Sequence, residues 1–99
     1  MAGFKFSKKA EQDLKEIYQY GYREYGEKRA DKYIQELEKA FILLAENPLL
    51  CRERIEFVPP VRIHPHNNHL IVYVCRAEWI LIVRLLHQSM DIERRIFNG

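Results

Sequence analysis

Apolar positions along the chain follow two periods, and the switch between them falls near residue 60. The opening stretch GFKFS alternates apolar and polar residues, which predicts a short first strand. Ser7 is placed to cap a following helix. Leu14, Ile17, Tyr18, Gly21, Tyr22 and Tyr25 then recur at helical spacing, and Glu11 and Lys15 stand one turn apart in the favourable order. Gly26 should stop this helix as a left-handed cap. A second helix restarts at Glu27, with Ala30, Tyr33, Ile34, Leu37, Ala40, Phe41 and Leu44 as its apolar stripe. It closes at Glu46-Asn47-Pro48, because the residue before a proline disfavours the helical region. One glycine between two long amphipathic helices implies an antiparallel helical hairpin. Tyr18, Tyr22, Tyr25 and Tyr33, at helical spacing, read as core or helix–helix contacts.

Residues 48–60, PLLCRERIEFVPP, show no clean period and predict an ordered loop closed by Pro59–Pro60. Three strands follow: VRIHP, LIVYVCR and WILIVRLLH. HNNH turns between the first two, since asparagine tolerates the left-handed region, and AE makes a weaker turn. These strands are apolar at nearly every position, so both sheet faces should be covered. The hairpin can cover one, which leaves the other for a partner protein. A short last helix is predicted after Ser89, with Asp91 in its first turn, Arg94 and Arg95 near its end, and Ile92 and Ile96 docking on the sheet. The predicted fold is α+β, in the order β-α-α-β-β-β: a helical hairpin on an antiparallel sheet, with a short C-terminal helix, as one domain over 1–99.

Composition narrows the class. At 47% hydrophobic and 30% charged, the chain is globular. Apolar runs such as Trp79–Val83 are far too short to cross a membrane, and the N-terminal stretch has no apolar signal core, so a cytoplasmic protein is expected. Residues 1–60 hold 11 Lys/Arg and 11 Asp/Glu, a balance of zero; residues 61–99 hold 5 and 3, a balance of +2. That excess is too small for a general nucleic-acid binder, and no specific nucleic-acid binding by the chain alone is expected. Cys51 and Cys75 read as reduced thiols, Cys75 buried and inert.

Several stretches, in this order and spacing, resemble the ParE branch of the RelE/ParE toxin superfamily over nearly the whole chain. They are F-S-x-x-A-x-x-D-L-x-x-I (Phe6 to Ile17), Y-G-x-x-x-A-D-x-Y-I-x-x-L (Tyr25 to Leu37), L-A-E-N-P (Leu44 to Pro48), I-V-Y (Ile71 to Tyr73) and I-V-R-L-L-H-x-x-M-D-I-E-R (Ile82 to Arg94). The resemblance implies a small bacterial toxin of a type II toxin–antitoxin pair, with a role in plasmid stabilisation. Its DNA-binding, ParD-like antitoxin wraps it through a C-terminal segment. ParE-like members inhibit DNA gyrase by binding; RelE-like relatives cut mRNA on the ribosome. The fold is shared, so it does not choose between them.

The chemistry bears on that choice. A ribosome-dependent mRNA endonuclease needs an acid, a base and cations for the phosphorane, and Arg62, Arg84 and His87 are the candidates. On a regular strand Arg84 and His87 point to opposite faces, while Trp79, Leu81, Val83, Leu85 and His87 share one. Histidine-bearing mRNA interferases also carry a tyrosine soon after the histidine; here Gln88, Ser89 and Met90 follow, and no tyrosine occurs after Tyr73. The reading therefore leans away from an enzyme. His87 is expected to be a strand-end hydrogen-bonding residue. His64, His66 and His69 match no zinc spacing and read as a solvated turn, so no metal and no cofactor are expected. Glu53 and Glu56, interleaved with Arg52 and Arg54, read as solvated charge. For a gyrase-binding toxin, Arg84, His87, Asp91, Arg94 and Arg95 are the expected toxic contact. Tyr18, Tyr22, Tyr33, Leu37 and Trp79 are the expected antitoxin surface.

Overall fold

The computed structural model describes residues 3–90. Strand β1 (Gly3–Phe6) leads into helix α1 (Lys8–Tyr25), and helix α2 (Glu27–Glu46) follows after a single residue. Strands β2 (Glu53–Arg54), β3 (Val61–His66), β4 (His69–Cys75) and β5 (Trp79–His87) complete a five-stranded sheet in the order β1-β5-β4-β3-β2. The predicted antiparallel meander is present as β3–β4–β5. The sheet as a whole is mixed, because β1 pairs with β5 in parallel, from Gly3 opposite Trp79 to Phe6 opposite Ile82. Such a pairing needs a long crossover, and everything between β1 and β5 supplies it. The predicted loop also yields the two-residue β2, antiparallel to β3. The short helix predicted beyond Ser89, with Asp91, Ile92, Arg94, Arg95 and Ile96, lies outside the described residues.

Local chemistry sets the element ends. Ser7 is extended and its hydroxyl accepts from Ala10 N, which caps α1. Gly26 ends α1 with its N–H on Tyr22 O, but at φ 92°, ψ 168°. This is not the left-handed helical cap expected from sequence; it is an extended positive-φ conformation that glycine tolerates and other residues resist. That geometry lets one residue both end α1 and begin α2. Gly21 faces Ala30 across the hairpin, where an added Cβ would sit 3.5 Å from the alanine Cβ. Asn67 turns β3 into β4 at φ 53°, the left-handed region predicted for it.

The core has two parts, one on each sheet face. On the helix side Leu37, Phe41 and Leu44 of α2 pack against Ile71, Tyr73, Ile80, Ile82 and Leu85, with Phe6 edge-on and Phe4 tilted against Phe41. On the other side Phe57, Val61, Val72 and Leu86 form a second buried cluster, with Ile63, Val74 and Val83 at its edge. The segment before β3 therefore covers part of the second face through Phe57, a cover the sequence assigned to a partner.

One irregularity decides where β5 points its side chains. Val72 pairs with Arg84 and Tyr73 with Ile82, so Val83 is an extra residue, a bulge. Alternation is displaced by one across it. Ile80, Ile82 and Leu85 all face the helices, while Val83 joins the opposite cluster. The regular-strand expectation that Val83 shares a face with Leu85 and His87 is thus overturned, while Leu85 and His87 keep regular alternation.

Candidate functional site

Two polar clusters flank this bulge. The first joins α1 to β5. Ser7 N–H donates to Ile82 O, and the Ser7 hydroxyl donates to Val83 O at 2.7 Å. Asp13, one of the buried residues of α1, accepts from Arg84 Nε at 2.8 Å, from Arg84 Nη2 at 3.1 Å and from Leu85 N at 3.0 Å. The bulge frees backbone groups from the strand ladder, and the start of α1 satisfies them. The Asp13 and Arg84 side chains are 11% and 13% exposed, so this is a desolvated bidentate pair. Arg84, expected to hold a phosphate or touch a target, is committed to its own fold. Asp13 was not singled out from sequence, although it lies in F-S-x-x-A-x-x-D-L. The signal was the pairing of that stretch with I-V-R-L-L-H: the two stretches meet here.

The second cluster lies at the far end of β5. His66, His69 and His87 occupy one row of the sheet, since His66 pairs with His69 and His69 with His87. The hydroxyl of Tyr33 on α2 lies 2.6 Å from His69 Nδ1, and the His69 and His87 rings meet edge to face at 5.6 Å. His66 packs beside Tyr33, and its Nε2 is buried with no hydrogen-bond partner among the described residues. His87 Nδ1 accepts from Ser89 N–H at 3.2 Å and lies 2.7 Å from the Ser89 hydroxyl. His87 is thus a strand-end hydrogen-bonding residue, as expected. The histidine-rich hairpin is not the solvated turn expected from sequence: all three of its imidazoles are half-buried, because the hairpin folds against Tyr33 and the loop at Cys51.

Burial sets the protonation of the His69–Tyr33 pair. It pushes the His69 imidazole below its ordinary value, with His87 and His66 adding to the effect. Burial raises the Tyr33 phenol, Glu36 raises it further, and a hydrogen bond with Asn67 opposes them. Both partners are therefore held neutral, and the phenol, the stronger acid of the two, donates to the ring nitrogen.

The remaining residues of the nuclease set lie apart. Arg62 donates to Cys51 O, beside the His64–Cys51 contact at 3.5 Å. Arg62 stands in the row of Tyr73 and Ile82, His87 in the row of His69 and His66. That separation is four residues along the strands, about 13 Å, and two strand spacings across, about 10 Å. Arg62, Arg84 and His87 do not converge on one reacting atom. Glu56 is held by Arg54 at 2.6 Å on the surface, and that hydrogen bond keeps its carboxyl below the usual range. This is the solvated charge expected of the loop.

The expected antitoxin residues also divide. Leu37 is fully buried beneath the sheet and has no surface to offer, because the α2 stripe is spent on the chain's own core. Tyr18 is a helix–helix contact, as expected, donating to Asp31 at 2.9 Å. Tyr22 and Tyr25 are instead 53% and 59% exposed, and Tyr20 is 54% exposed. Trp79 lies at the opposite end of β5 from His87, with Lys5 Nζ 4.5 Å above its ring.

A helical hairpin laid on a mixed sheet, with exposed tyrosines on α1 and an imidazole row at one sheet end, makes a small α+β domain. Residues 4–92 match the family described as the ParE toxin of the type II toxin-antitoxin system, parDE, and the chain belongs to that family. It is 33% identical over 88 residues to Toxin ParE1 of Mycobacterium tuberculosis, covering 88% of this chain and 90% of that protein. It is 31% identical over 97 residues to Toxin ParE of Escherichia coli, covering 97% and 94%. In fold it is similar to a solved chain of the chromosomal ParDE TA system from P. aeruginosa, at TM-score 0.74 and 24% identity, covering 88% of this chain and 96% of that one. Among the described residues no helix is long and apolar enough to cross a membrane.

Proposed function

We propose that this chain is a cytoplasmic toxin that inhibits DNA gyrase by direct binding and is neutralised by a cognate antitoxin. Family membership carries the reading, and the failure of Arg62, Arg84 and His87 to converge supports binding over cleavage. The toxic contact is assigned to His87 and to Asp91, Arg94 and Arg95 beyond it; Arg84 contributes by holding β5 to α1. The antitoxin surface is assigned to the tyrosine face of the hairpin, Tyr18, Tyr22 and Tyr33, and to Trp79. The similar fold from a ParDE system supports a ParD-like partner. The test is a supercoiling assay with purified gyrase and toxin. Loss of supercoiling or trapped cleavage complexes at micromolar toxin, reversed by the antitoxin, is expected. Unimpaired supercoiling, together with new cuts in translated mRNA after induction, would overturn the reading.

A further inference from the structure

A cleft of about 730 Å³ opens between the hairpin and the imidazole row, within the roughly 300–1,000 Å³ range of small-molecule sites. Its wall carries three kinds of group. Tyr20, Tyr25 and Tyr33 give it aromatic faces, two of them largely exposed. Arg29 and Lys32 give it cations from one side of α2, against one carboxylate, that of Glu36, among the described residues. His69 and His87 close its floor, each with Nδ1 already engaged.

That last feature fixes the chemistry. The Ser89 backbone N–H can only donate, so His87 Nδ1 is an acceptor and its Nε2 carries the proton. The Tyr33 phenol donates to His69 Nδ1, so His69 Nε2 also carries its proton. Both rings are therefore N–H donors at Nε2 while neutral. This tautomer disfavours a metal, which needs the bare nitrogen, and suits an anion. Arg29, now 5.7 Å from the Tyr25 ring, already shows the stacking geometry by which an arginine supports an aromatic ligand.

We propose that this cleft binds a mononucleotide unit, its phosphate taken by Arg29, Lys32 and the two imidazole N–H groups and its base laid on the exposed tyrosine faces. The site is local, which agrees with a chain whose net charge is too small for a general nucleic-acid footprint. The inference goes beyond the gyrase reading and does not depend on it. The ligand has two sources, a free nucleotide or a nucleotide within a single strand.

The experiment is a calorimetric titration of the full chain with adenosine monophosphate, a 5′-phosphorylated tetranucleotide of single-stranded DNA, adenosine, ribose 5-phosphate and inorganic phosphate. Binding of the monophosphate tighter than of adenosine, sugar phosphate or phosphate supports the site. A tetranucleotide binding more tightly than the monophosphate makes a strand the source; an equal or weaker one makes it the free nucleotide. Arg29→Ala and Tyr25→Ala each weaken binding roughly tenfold, since a charge-assisted hydrogen bond or a stacked base is worth about that much. Glu36→Gln tightens it. All three side chains project into the cleft rather than the core, so circular dichroism should show these variants folded. Absence of nucleotide binding at millimolar concentration, phosphate binding as tight as the monophosphate, or affinity unchanged in all three variants overturns the proposal. So does an acidic peptide that binds the cleft where the monophosphate does not.

Discussion

Arg84 and His87 leave the same strand three residues apart and meet opposite fates. Arg84 turns inward to a buried carboxylate, in a cluster where the bulge's own Leu85 N–H and Val83 carbonyl are also taken up by Asp13 and Ser7. His87 ends the strand in an open cleft, held through one ring nitrogen by Ser89. In the sequence both belonged to one charged patch. The difference lies in what α1 and α2 bring. The first turns of α1 carry a capping serine and an aspartate to the bulge, whereas α2 carries a tyrosine, an arginine and a lysine to the strand end. Polar groups that complete the fold and polar groups that line the open cleft are thus separated by three residues of β5, about 10 Å.

The largest effect should come from the inward side. Asp13→Ala removes the carboxylate shared by Arg84 and Leu85 N, and breaking a buried pair from one side costs about 3–5 kcal/mol. Urea unfolding should show it as a lower midpoint. Asp13→Leu with Arg84→Met should regain only part of the loss, because the apolar pair needs no desolvation but leaves the Leu85 N–H buried without its acceptor. A loss below about 1 kcal/mol for Asp13→Ala, the scale of an exposed pair, would remove the distinction between the two ends.

Ser7→Ala comes next. It deletes both the cap on α1 and the bond to the bulge carbonyl, and about 1–2 kcal/mol is expected. The two variants touch one structure from adjacent positions, so their costs should not add. Strict additivity in a double-mutant cycle would mean that cap and carboxylate act independently.

How much of this was legible follows from the same residues. Periodicity gave the hairpin and the three-stranded meander, because Leu37, Phe41 and Leu44 repeat at 3.6 residues and the strands alternate with clear turns. The bulge was not legible. Val83 is an apolar residue inside an apolar run, and nothing in WILIVRLLH marks an extra position. The inference that Trp79, Leu81 and Val83 share a face with Leu85 and His87 failed across it. The tyrosines misled for a different reason: periodicity identifies a stripe but not its width, and the outer edge of the α1 stripe is exposed. The burial of the histidine hairpin came from Tyr33, thirty-six residues from His69, a contact no local pattern encodes.

Acid probes the other end. His69 and His64 are both held below the ordinary 6.5, by burial first and neighbouring histidines second. The unfolded chain then binds protons more readily than the folded one. The stability present above 6.5 is lost as pH falls from there toward the depressed values. Melting should therefore drop between about pH 7.5 and about pH 5.5, and His69→Gln should lose less over the same interval. A chain that gains stability on acidification would reverse the sign and remove burial as the cause.

The smallest effect is the most discriminating. His87→Ala removes a half-exposed ring that meets the His69 ring edge to face and whose hydrogen-bond partner Ser89 is exposed and can turn to water. Its cost should stay within about 0.5–1 kcal/mol, the range for a single neutral hydrogen bond at a surface. Arg84→Ala, three residues back, should cost several times more, since it leaves Asp13 a buried charge without its bidentate partner. Measured side by side in urea, the two truncations compare an arginine that looks functional but holds the fold with a histidine whose removal the fold tolerates. If His87→Ala unfolds the chain as readily as Arg84→Ala, the strand end is structural too, and its imidazole row is not a surface kept open for a ligand. If it does not, the folded His87→Ala protein tests the proposed gyrase contact without a change in fold.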